Sequence, residues 1–166
     1  RRDLETRLLR VASWQTATRD DGKVALELLE TRSCDRVHAI DEAAFFDELF
    51  RYLQQIGAWP LLEDLDPKDR KRASIPYLRF VLLTLMRCVG GVQSMLATHD
   101  VLLTDEALMA LVGFNAVQVQ HGTTERGVSR RKKPVEIRGA LSYETVADNI
   151  VKLGAAKLDK ILNGLI

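Results

Sequence analysis

Apolar residues recur at helical spacing along most of the chain and rarely alternate, so the pattern predicts helices rather than a sheet. Leu4, Leu8, Leu9 and Ala12 share one side of residues 1–17, with Arg1, Arg2, Arg7 and Arg10 elsewhere. Asp20-Asp21-Gly22 is a turn signal. Lys23–Thr31 fits either a strand or a short helix, because Val24, Leu26 and Leu28 alternate until Leu29 breaks the period. From Asp41, a candidate N-cap, to Ile56 the apolar positions 45, 46, 49, 50, 53 and 56 fall on one helical face. Gly57 supplies the stop. Trp59-Pro60 opens an irregular connection, and Asp66-Pro67 introduces a short charged run, Lys68–Arg72.

The most apolar helix is predicted over Tyr77–Val89, started by Ile75-Pro76 and closed by Gly90-Gly91. Apolar side chains cover most of its circumference, which marks it as the central core helix. Shorter helices follow at Val92–Thr98, at Asp105–Val112 with Thr104 as cap, and at Ala116–His121 with Asn115 as cap and Gly122 as stop. Thr123–Gly139 has no helical period and holds Pro134, so it is expected to be an extended or mobile linker. Ser142 then caps Tyr143–Leu153, and a last helix is expected over Ala155–Leu162. The fold class is therefore all-α, a multi-helix bundle with a basic linker before the last two helices. Four stretches follow: 1–40 of uncertain structure, a helical domain over 41–122, the linker 123–139, and the C-terminal helices 140–166.

Composition agrees with helices. Leucine supplies 25 of 166 residues and aromatics only 6%. No apolar run reaches the length of a membrane span, and neither Cys34 nor Cys88 has a disulfide framework around it. An intracellular location is the expectation. Arg rather than Met stands at position 1, which suggests a piece of a longer product.

Enzyme chemistry finds little support. His38, His99 and His121 are far apart and no CxxC occurs, so no metal site is expected. There is no GxSxG, and Gly90-Gly91 belongs to no phosphate-binding loop. Whether the chain has any catalytic role stays uncertain, and no catalytic residue is nominated.

Charge distribution is more informative than the formal total of +1. Thr123–Gly139 holds six basic and two acidic residues, a local net of +4, which leaves −3 for the rest. Arg126, Arg130, Arg131, Lys132, Lys133 and Arg138 can follow a polyanion by displacing the counterions of its phosphates. A solvated linker is the alternative. Directly before this segment, Asp105–Val112, Gly113-Phe114 and Asn115–His121 match the outline of a helix-turn-helix. Asn115, Gln118, Gln120 and His121 all carry groups that hydrogen-bond base edges, and Asn and Gln suit adenine. Asn115, Gln118 and Gln120 are the expected base contacts. A plain helical hairpin, with Asn115 as a cap and the glutamines solvated, is the competing description.

A resemblance enters with the order of several stretches. Thr104–Phe114, Gly122-Thr123-Thr124-Glu125-Arg126-Gly127, the basic run, Glu144–Leu153 and Leu162-Asn163-Gly164 follow one another. This order resembles the N-terminal region of bacterial insertion-sequence transposases of the DDE type, over roughly residues 41–166. The resemblance implies a helical part that binds the terminal repeats of the element and helps pair its ends. It also implies a following catalytic domain whose carboxylates hold Mg²⁺ for phosphodiester transfer. No such triad can be carried onto this chain, and no cofactor is expected in it. The expected partners are double-stranded DNA together with a second copy or the following catalytic domain, and no membrane. A helical protein-interaction module without nucleic acid is the alternative, suggested by the apolar Leu158, Ile161, Leu162, Leu165 and Ile166.

Overall fold

A computed structural model describes residues 21–32, 43–65, 75–124, 127, 128 and 139–152, with residues 156, 157, 159 and 163. The helices expected over 1–17 and 155–162, and the Lys68–Arg72 run, lie wholly or largely outside them. Within the described residues the protein is all-α, as its apolar periodicity requires. Among the described residues eight α-helices run in order: α1 (Asp21–Thr31), α2 (Ala44–Gln55), α3 (Ala58–Glu63), α4 (Tyr77–Val89), α5 (Met95–Thr98), α6 (Glu106–Val112), α7 (Ala116–His121) and α8 (Tyr143–Val151). A π-helical turn, His99–Leu103, continues α5. Two-residue strands β1 (Thr123–Thr124) and β2 (Gly127–Val128) pair antiparallel, Thr123 opposite Val128.

Helix α4 is the hub, packed against α3, α6 and α8. Phe80, Leu82, Leu83 and Met86 are completely buried on it, joined by Leu103, Met109, Val112 and Val119 from later elements. Its start has no side-chain cap, since Pro76 holds that position in an extended conformation. Burial of an almost wholly apolar helix compensates, at about 1.5–3 kcal/mol for each large side chain removed from water. Arg79 is buried on the same helix. Desolvation pulls its guanidinium down to about 10, while the Glu63 carboxylate acts in the opposite direction. The group therefore stays charged at neutral pH, and its burial opposes folding there.

Several expectations are corrected. The ambiguous Lys23–Thr31 is helical, and Asp21-Gly22 lies inside α1 rather than in a turn. Trp59-Pro60 belongs to α3, because a proline in the first turn removes only an N–H that has no intrahelical acceptor. On α2 the apolar face is split: Phe46 and Phe50 are buried, Phe45 and Ile56 are exposed, and Asp47 is buried instead. Arg51 Nη2 holds Asp47 Oδ2 at 3.1 Å, one turn away. Asp41, the expected cap, is outside the described residues. The helix expected over Val92–Thr98 starts later, where Ser94 accepts from Ala97 N, and runs on as the π turn.

The boundaries drawn at 122 and 140 do not divide the core. Ala140, Leu141 and Val146 are buried in the same cluster as α4, and the Tyr77 hydroxyl donates to the Asn149 carbonyl at 2.8 Å. Thr123 N donates to Ala140 O at 2.8 Å, and Ala140 N donates to Leu103 O at 2.7 Å. Thr123 and Ala140 thus pair as a stem against the core, and most of the residues between them lie outside those described. Gly139 makes the stem possible with φ +75°, and an added Cβ would lie 3.0 Å from Leu103 O and 3.1 Å from His99 Cε1.

Candidate nucleic-acid interface

The candidate interface is assembled from α6, the turn after it, α7 and the stem that follows. Helix α6 begins at Asp105, whose Oδ1 accepts from Leu108 N at 2.8 Å, and Glu106 in its first turn suits the positive end of the helix dipole. The cap is one residue later than expected, because the Thr104 hydroxyl already donates to Asp100 O at 3.1 Å. Helix α6 ends in a left-handed Gly113, φ +97°. Gly113 N donates to Ala110 O and Phe114 N to Met109 O, with the Phe114 and Met109 side chains both buried. This is a Schellman closure with its apolar contact.

Helix α7 follows at once, with a reciprocal cap. Asn115 Oδ1 accepts from Gln118 N at 2.9 Å, and Gln118 Oε1 accepts from Asn115 N at 2.7 Å. Two short helices are joined by a three-residue turn at Gly113-Phe114-Asn115, the connection length of a helix-turn-helix. Ala116, Gln118 and Val119 face inward. Val117 and Gln120 are exposed and His121 is half-buried. Gln120 Nε2 lies 3.5 Å from Glu106 Oε1, a long contact at the limit of hydrogen bonding. Gly122 ends the helix, and the stem at Thr123 begins directly after it.

Of the expected base contacts, Asn115 is exposed but engaged in the cap. Gln118 is only 2% exposed, with its carbonyl oxygen facing back to the Asn115 amide. Gln120 alone of the three projects to solvent with an uncommitted carbonyl oxygen. Arg126, Arg130, Arg131, Lys132, Lys133 and Arg138 lie outside the described residues. Val117 is exposed on the same helix and was not among the expected contacts. Asn115-Ala-Val-Gln118 has the spacing of a capping box, which fixes where α7 starts.

Among the described residues no group of His, Cys, Asp and Glu is placed to hold a metal ion. No described helix is long and apolar enough to cross a membrane. No protein family, curated protein or solved structure matches this chain.

Proposed function

We propose that the chain is a duplex-DNA-binding and assembly module, in which α7 enters the major groove and the cations of 123–139 hold backbone phosphates. One observation carries this reading. A pair of capped short helices, the second with an amide and an imidazole beside Val117 on its outward side, is followed, one residue later, by a segment of net charge +4. Phosphate contacts supply affinity and base-edge contacts supply selection, so the two features complement each other. The resemblance to insertion-sequence transposases makes the terminal repeats of such an element the expected duplex. It also locates strand transfer, with its Mg²⁺, in a catalytic domain rather than in these residues. Such a protein would work at the bacterial nucleoid.

The test compares the intact chain with R130A/R131A/K132A/K133A on a duplex over a range of salt. If all six cations reach phosphates, log affinity falls with log salt at a slope of about −5. The fourfold variant flattens that slope by up to about 3.6, at about 0.9 per lost contact. An unchanged slope removes the basic segment from the interface.

A second reading has its own observation. Phe45, Tyr52 and Ile56 on α2 are exposed at helical spacing beside the half-buried Leu49, an apolar stripe suited to a protein partner. Light scattering at several concentrations, with and without duplex, separates the two readings. Self-association indifferent to DNA favours the protein-interaction module.

A further inference from the structure

The geometry points to Val117 as a base-reading residue that contacts a thymine methyl group, with Gln120 beside it reading adenine. This inference rests on the duplex-binding function proposed above. Residues 116, 118 and 119 are buried, so the spacing of 117, 120 and 121 leaves these three as the outward side of α7. Asn115 and Gln118, the polar residues that look best suited to bases, are bound to each other in the cap. What reaches outward is one branched apolar side chain, one amide and one imidazole.

Isolated surface valines are ordinary. Val117 differs in its company and its place. It is 36% exposed on the helix that would enter the groove, one turn from Gln120 and His121. A β-branched residue weakens a six-residue helix slightly, and Val117 is not among the residues that α7 buries. In the major groove the thymine 5-methyl is the one apolar group on a base edge, and an aliphatic side chain is its natural contact.

The Glu106 carboxylate lies at the limit of hydrogen-bonding reach from Gln120. Glu106 offers only acceptors, so the Gln120 amide nitrogen faces it, leaving Oε1 and a second N–H uncommitted. That pair matches the N6 donor and N7 acceptor of adenine. The Glu106 carboxylate also disfavours a phosphate at this place, and α7 carries no Lys or Arg. Backbone contacts therefore fall to the basic segment, and α7 is left to the base edges.

The experiment selects preferred duplexes from a randomised pool with the full 166-residue chain. Each thymine of the selected site is then replaced in turn by uracil, which removes only the methyl. For the unaltered chain, uracil at one position is expected to weaken binding about three- to fivefold, the effect of burying one methyl. V117A, which favours the helix, is expected to bind the thymine site as the unaltered chain binds the uracil site, and to be indifferent to uracil. Q120A is expected to lose about tenfold discrimination at a neighbouring adenine. A uracil penalty that persists in V117A overturns the inference. So does salt-dependent binding with no sequence preference, which leaves the DNA-binding function standing. Absence of any duplex binding overturns both.

Discussion

Helix α4 has 13 residues, buries seven of them and starts without a side-chain cap. Helix α7 has six, buries three and is held at its start by a reciprocal pair of side-chain hydrogen bonds. The two show different routes to a stable helix. A long apolar helix is stabilised by what surrounds it and leaves little surface for anything else. A helix of fewer than two turns lacks that area and has too few internal hydrogen bonds to offset nucleation, so its ends must supply stability. In α7 this commits Asn115 and Gln118 to the cap and leaves Gln120 exposed and outside it. The inner residues Ala116 and Val119 then need only anchor it to the core.

This contrast predicts a graded set of losses. Phe80→Ala, at the centre of α4, is expected to lower unfolding stability by about 3–5 kcal/mol in urea titration. A loss under about 1 kcal/mol would deny α4 its place as hub. Gly139→Ala comes next. A left-handed position costs a Cβ-bearing residue about 1–2 kcal/mol, and here the Cβ also meets the Leu103 carbonyl. Gly57→Ala is the control, since its φ is +73° and nothing lies within 4 Å of the added atom. Equal losses in the two variants would mean that the stem contributes nothing beyond its dihedral angle.

Gln118→Ala is expected to cost about 1–2 kcal/mol, by removing a cap partner and leaving the Asn115 amide without its acceptor. The same variant without a stability loss would mean that the side chain is free to leave the cap and reach a base. At the small end, Gln120→Ala should change stability by less than about 0.5 kcal/mol. A larger loss would couple the outward side of α7 to folding and remove the distinction between the two helices.

Local signals were legible in the sequence and long-range ones were not. Helix α4 was bounded correctly because Pro76 and Gly90 flank an unbroken apolar run. The turn at Gly113 and the cap at Asn115 were legible because each rests on the backbone preference of one residue. The π turn at His99–Leu103 was missed, since its hydrogen bonding departs from the helical period used to find it. The irregular connection expected at Trp59-Pro60 is helical, because a proline in a first turn looks the same in sequence as one outside a helix. The stem between Thr123 and Ala140 was invisible because two hydrogen bonds between distant residues leave no local pattern. In the candidate site, Asn and Gln at 115 and 118 were assigned to bases by type alone. Their spacing of three, the signature of a capping box, was the stronger signal.

The account turns on which surface of the molecule a duplex covers. Hydrogen exchange of the intact chain with and without duplex DNA, resolved by residue and run at moderate salt, measures that most directly. Slowed exchange over 116–121 and within 125–138, with α2 unchanged, is the predicted result. Slowed exchange along Phe45–Ile56 instead, or no change anywhere, would contradict it.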